Sequence, residues 1–234
     1  MSQAVKPRRR YESPRRQQQA AQTRRDIVAA AGTLFRDRGY SAASMPLIAA
    51  EAGVVVETLY RAFGSKAALF RAVMEALVAG GSKRSEVPVE DRPAIRAVIN
   101  EANPRRQIAL YAATQPGIHR RVGPLLRALL GAVATDPELK ALWKDMEAWR
   151  LEGQGRFVGM LAERGSLRPG LSFEFARDIL WTLCSLEVHD LLVVSRGWTS
   201  KQYEEWLTAA LERELLPDAE ARDSRPRGST AEGR

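Results

Sequence analysis

Between Met45 and Ala62 the chain orders its apolar, small and flexible residues in a way that fits one kind of local structure. Two helices cross closely only where their contact residues are small, and the chain turns sharply between them only where a residue tolerates positive φ. Ile48 is apolar, Ala49 is small enough for a helix crossing, and Ala52 is followed by Gly53 and then by apolar Val54. Leu59 and Ala62 bring the second helix back to the same core. The seven positions together read as two short helices around a tight turn, spanning 44–63, which is a helix-turn-helix.

The flanking sequence is helical as well. Ile27, Ala31, Leu34 and Phe35 recur at helical spacing, so a helix is expected from about Thr23 to Arg38, with Gly39 as its stop. Ser65 is placed to cap a further helix carrying Leu69, Val73, Met74, Leu77 and Val78, ended by Gly80 and Gly81. Ser85 to Pro93 reads as a linker. Beyond it the pattern is helical, with breaks expected near Asn103–Pro104, Gln115–Gly117, Asp136–Pro137, Leu167–Leu171 and Gly197. No alternating strand pattern occurs. The fold class is therefore all-α: an N-terminal three-helix helix-turn-helix domain over 23–81 and a helical C-terminal domain over 90–216. A basic disordered arm is expected over 1–22 and a disordered tail over 217–234.

Charge narrows the partner. The 234-residue chain carries a net charge of +8, which points first to a polyanion such as nucleic acid. From Lys6 to Asp26 the excess is +6. Such a block repels itself in isolation and orders only against a polyanion. The single cysteine, Cys184, excludes an intramolecular disulfide and reads as a small buried apolar residue. An arginine-rich start without an apolar run behind it, and no stretch of about 18 apolar residues, lead to the expectation of a soluble cytoplasmic protein without a membrane partner.

The stretch made by Ser44, Ile48-Ala49, Ala52-Gly53-Val54, Thr58-Leu59-Tyr60, Phe63 and Ser65-Lys66, with Leu69-Phe70 behind it, resembles the first four helices of the TetR-type repressors. The likeness is clear over Thr23 to Leu77 and vaguer beyond. It implies a homodimeric, ligand-responsive transcriptional regulator, expected to be a repressor, that leaves its double-stranded DNA operator when a small-molecule effector occupies the C-terminal ligand-binding and dimerisation domain. An activator of the same fold and a sequence-non-specific DNA-binding protein are the alternatives. Two positions depart from the family pattern: Val55 stands where a serine is common, and Ala67 where an acidic residue is common.

Within that frame Val55 to Arg61 is the expected recognition helix, lying in the major groove. Val56, Glu57 and Thr58 sit at its N-terminal end, within reach of base edges. Glu57 has two readings: it accepts from a cytosine amino group, or it merely complements the positive end of the helix dipole. Tyr60 reads as a phosphate contact or a packing residue, and Arg61 as a phosphate contact or a solvated charge. Ser44 is expected to cap the first helix of the motif and to donate to phosphate. Lys66, a cation opposing its own helix dipole, is expected to serve a phosphate bound at that helix N-terminus.

In the C-terminal part, Tyr111, Trp143, Met146, Trp149 and Trp181 are the candidate ligand-lining residues, each with ordinary core packing as its other reading. His119, beside Arg120 and Arg121, is expected to be exposed, and His189, beside Asp190, to lie at a surface or interface, with a hydrogen-bond partner for a ligand as its other reading. The segment 173–194 is apolar on more than one face and needs several coverings. Paired with the helix at about 200–216, it is the expected homodimer surface, which sets two recognition helices on half-sites roughly 34 Å apart. No catalytic, metal or cofactor site is expected. The chain has two histidines and one cysteine, and lacks His-Glu-x-x-His, paired Cys-x-x-Cys and Gly-x-Ser-x-Gly. Gly153 and Gly155 are read as glycines allowing close packing or a kink, not as part of a dinucleotide fingerprint.

Overall fold

The computed structural model describes residues 14–134 and 136–218. Among them every regular element is helical. The chain divides into two compact units, Met1–Ala76 and Leu77–Arg234.

In the first unit, α1 (Pro14–Ala42) is interrupted at Gly39, whose φ of 76° and ψ of 167° break the helix where the sequence places its stop. The helix starts earlier than expected. Residues 14–22, assigned to a disordered arm, are its first turns, because proline suits a first helical position and Gln17 to Ala21 are good helix formers. Charge repulsion is reduced locally: Gln22 donates to Asp26, and Arg25 donates to Gln22. The rest of the expected arm, 1–13, lies outside the described residues.

α2 (Met45–Glu51), α3 (Val56–Phe63) and α4 (Lys66–Ala79) follow. Ile27, Phe35, Ile48, Leu59, Leu69 and Phe70 are fully buried between them. Phe35, Tyr40 and Phe70 pack ring against ring at 5.2–5.5 Å, a geometry worth roughly 0.5–1.5 kcal/mol per pair beyond burial. A Cβ on Gly32 would meet Val73 Cγ1 at 3.4 Å, so α1 and α4 pack at ordinary contact distance there.

In the second unit a short α5 (Ser82–Ser85) and a 3-10 turn at Val89–Asp91 lead through the linker to α6 (Pro93–Asn100). The expected break at Gln115–Gly117 does not occur. α7 (Pro104–Val133) runs through Pro116 and Pro124. Each proline removes one helical hydrogen bond, but Ala112, Gln115, His119, Val122, Leu125 and Leu129 line one side and are buried. That burial outweighs the local penalty. α8 (Pro137–Glu163) is capped by Asp136, whose carboxylate accepts from the Glu138 and Leu139 amides. α9 (Phe173–Leu183) is capped by Ser172 and α10 (Leu186–His189) by Ser185. A π turn, Asp190–Ser195, continues α10. α11 (Ser200–Leu215) begins in a reciprocal Thr199–Gln202 capping box.

The core of this unit joins Ile108, Phe157, Val158, Leu161, Leu180, Leu207 and Leu211, drawn from α7, α8, α9 and α11. The apolar side of α11 is consumed there: Tyr203, Leu207, Leu211 and Leu215 are fully buried within the chain, and Lys201, Gln202, Glu205 and Arg213 face out. Gly155 serves close packing as read, its missing Cβ lying 3.5 Å from Arg177 Cδ and 3.7 Å from Phe173 Cζ of α9.

Candidate nucleic-acid interface

α2 and α3 are joined by a turn that needs Gly53. Its φ is 67°, in the left-handed region where side chains are strained. The Val54 amide closes the turn on the Ala49 carbonyl at 3.0 Å. Ser44 caps α2, with its hydroxyl accepting from the Leu47 amide at 3.4 Å, and Pro46 occupies the first turn where a missing amide costs little.

α3 starts one residue later than expected. Val55 is its N-cap, in extended conformation and without a side-chain hydrogen bond, as its hydrocarbon side chain dictates. Leu59 anchors the helix inward. Glu57, Tyr60 and Arg61, at spacing i, i+3, i+4, form an exposed outer face, with exposed Val55 at its start and half-buried Val56 and Thr58 beside it. Of the expected contact residues, Val55, Glu57, Tyr60 and Arg61 are thus exposed, and Val56 and Thr58 are half-buried. Arg61 donates to the Thr58 hydroxyl at 3.4 Å.

Lys66 has partners inside the unit. Its Nζ donates to the Ser41 carbonyl at 3.3 Å and sits 4.2 Å from the centre of the Tyr40 ring. The capping at this end is done by Ser65, whose hydroxyl accepts from the Ala68 amide at 3.1 Å.

In the sequence Arg24 is only one charge of the basic run from Lys6 to Asp26. In the fold it donates to the Ala62 carbonyl at 2.8 Å and stacks 4.1 Å over the Phe63 ring, tying α1 to the C-terminal end of α3. The signal was weak because the partner is 38 residues away.

Residues 27–73 match the model of the bacterial regulatory proteins of the tetR family. The chain carries a TetR-family domain. Over 80 residues it is 38% identical to the transcriptional activator FasR of Mycolicibacterium smegmatis, a match covering 32% of this chain and 36% of that protein. The chain thus spans about a third of the curated relative it matches. Among solved structures it is similar to NalD of Pseudomonas aeruginosa, the secondary repressor of the MexAB-OprM multidrug efflux pump, with a TM-score of 0.61, 22% identity, and coverage of 85% of this chain and 99% of that one. It is also similar to a Saccharomonospora viridis protein classed as a transcriptional regulator and crystallised with choline, with a TM-score of 0.55, 18% identity, and coverage of 85% and 100%. At these identities the structural likeness extends the TetR-type fold over both units and says no more.

Beyond the TetR-type domain, the five candidate ligand residues lie on α7, α8 and α9. Tyr111 stacks on Phe157 at 4.1 Å between ring centres, and Met146 is buried. Trp181 lies under the Arg150 guanidinium at 4.5 Å. Trp143 and Trp149 are half-buried on α8. None of the five lines the open groove of about 830 Å³ that runs along α8 past Gly155 and Gly159 to Phe173 and Arg177.

The histidine expectations are corrected. His119 and His189 are both buried, because positions 111, 115 and 119 form one inward stripe of α7 and α10 packs its C-terminal end against it. The spacing Gln107, Tyr111, Gln115, His119, four polar residues at successive intervals of four, was the available signal. Cys184 is buried as read, and burial pushes its thiol pKa up to about 12.

Proposed function

We propose that the chain is a ligand-responsive transcriptional regulator of cytoplasmic location, acting as a repressor on an inverted-repeat operator that it binds as a homodimer and releases on taking up a small molecule. The observation that carries this reading is α3 itself. It is a short helix held by Leu59 and a glycine-cornered turn, and it presents Val55, Glu57, Tyr60 and Arg61 outward from a TetR-type domain. Ser44, Val56, Thr58 and Lys66 complete the proposed DNA-contacting set.

The net charge of +8 supports a nucleic-acid partner. The dimer is proposed through 173–194, where Phe175, Leu191 and Val194 are 60–63% exposed. The outward side of α11 adds a polar rim to that surface. No described helix is long and apolar enough to cross a membrane. The similar structures include a repressor and a protein holding a small ligand, which supports the effector reading by analogy. An activator is the second reading, favoured by the match to FasR.

The test is an unbiased selection of genomic fragments by the full-length protein. Enrichment of an inverted repeat supports the regulator, and transcription from that promoter with and without the protein separates repressor from activator. Equal retention of scrambled competitor DNA would defeat the reading.

A further inference from the structure

The second unit buries more hydrogen-bonding capacity than it uses. His119 is 5% exposed and neither ring nitrogen has a partner. Tyr203 is fully buried with an unpaired hydroxyl, and Gln154 is 5% exposed with an unpaired Oε1. A buried polar atom left without a partner costs on the order of 1–3 kcal/mol, so three such side chains in one core call for an explanation.

They belong to one neighbourhood. The His119 ring stacks on His189 at 4.6 Å and meets Tyr203 edge-on at 6.0 Å, and His189 meets Tyr203 at 5.1 Å. Gln154, on α8, lies beside Tyr111, which is two helical turns before His119 on α7. The elements meeting there are α7, α8, α10 and α11. The π turn that follows His189 is a rare helical form often found at working sites.

We propose that this polar seam, centred on His119, Gln154 and Tyr203, is the effector seat and takes an uncharged, hydroxyl-bearing small molecule. The inference rests on the regulator reading and deepens it by naming the ligand chemistry. Neutral imidazole offers one donor and one acceptor, the tyrosine hydroxyl offers both, and amide Oε1 only accepts. A hydroxyl group, which also donates and accepts, satisfies such a mixture.

A charged ligand finds no counter-ion. Arg150 is committed to the carbonyls of Trp181 and Cys184 and to the Glu147 carboxylate. Asp190 is committed to Arg127 and to His189 Nδ1. An ion in the seam would remain an uncompensated buried charge. The orphaned atoms are closed from solvent, so admission requires the helices to part. A ligand that pairs these atoms favours the parted state by that differential contact.

The experiment compares three probes of one shape, benzyl alcohol, benzoate and benzylammonium, on the full-length protein by calorimetric titration and thermal unfolding. Benzyl alcohol is expected to raise Tm and to bind at least about tenfold tighter than either ion, the discrimination set by burying an unpaired charge. Tyr203→Phe removes an unpaired hydroxyl, so it is expected to raise the Tm of the ligand-free protein and to weaken benzyl alcohol binding by about tenfold. Lys140→Gln, at an exposed position of α8, leaves both unchanged. The proposal is overturned if no probe raises Tm, if an ion binds as well as the alcohol, or if Tyr203→Phe lowers the ligand-free Tm. Enrichment of an inverted repeat without probe binding sinks this inference alone. Probe binding without any preferred DNA sinks the regulator reading alone.

Discussion

His119 of α7 and His189 of α10 lie face to face in the core of the second unit, 4.6 Å between ring centres and 26° between planes. Burial of the His119 ring away from water disfavours its protonation. Burial first, then His189 and Arg150, push the His119 pKa down from 6.5 to about 3, against a smaller opposing pull from Asp190. Tyr203 of α11 closes the edge of the pair.

The consequence is acid lability with a defined window. Below pH 6.5 the unfolded chain takes up a proton on His119 that the folded chain refuses. Stability present above that pH is therefore lost as pH falls toward 3, at up to about 1.4 kcal/mol per pH unit. For Asp190, burial alone would raise the pKa, but hydrogen bonds from His189 and Arg127 outweigh it and hold it below 3.8. Its contribution is lost only as pH falls through that lower range. Denaturant midpoints measured across pH should show the first decline, and His119→Phe should flatten it while leaving the more acidic loss in place.

Gly53→Ala should destabilise the TetR-type domain by about 1 kcal/mol. No atom lies within 4 Å of the added Cβ, so the penalty is backbone strain at φ 67° and not a clash. Gly53→Val should cost more, since a β-branched residue resists that region further. Equilibrium unfolding by circular dichroism reads both, and an unchanged midpoint for Gly53→Val would contradict the turn geometry.

On α3, Arg61→Ala should weaken operator binding about evenly across sequences and lower the salt slope by about 1. Glu57→Gln should instead relax preference at a single base pair, by about 1–3 kcal/mol of discrimination. Both positions are exposed, so stability should be preserved. Binding titrations at several salt concentrations against a degenerate operator set separate the two roles. A uniform loss for Glu57→Gln would return that residue to a helix-dipole role.

Leu191→Glu combined with Val194→Glu should convert the proposed dimer to a folded monomer. Both side chains are more than 60% exposed in the single chain, so the charges disturb little within it. Sedimentation velocity should show the change of mass, with helical signal retained. Leu211→Ala on α11, fully buried, should instead cost about 2–5 kcal/mol of stability.

Local rules carried the sequence far in the first unit. Ser44 as a cap, Gly39 and Gly53 as corners, and Ile48, Leu59 and Phe70 as core follow from residue type and spacing, because each acts within a turn or two of its own position. The outward set on α3 was legible for the same reason: one buried leucine sets the rotation of a short helix.

Tertiary contact decided the rest. Lys66 turns to the Ser41 carbonyl and the Tyr40 ring, and Arg24 to the Ala62 carbonyl, through partners 25 and 38 residues away. α7 runs on through Pro116 because burying one side of it outweighs a missing hydrogen bond. His119 looked exposed beside two arginines, yet its place on a helix face facing three others put it in the core. A residue's neighbours along the chain set its helix, and the face that helix presents to other helices sets whether a polar group meets water or is held away from it.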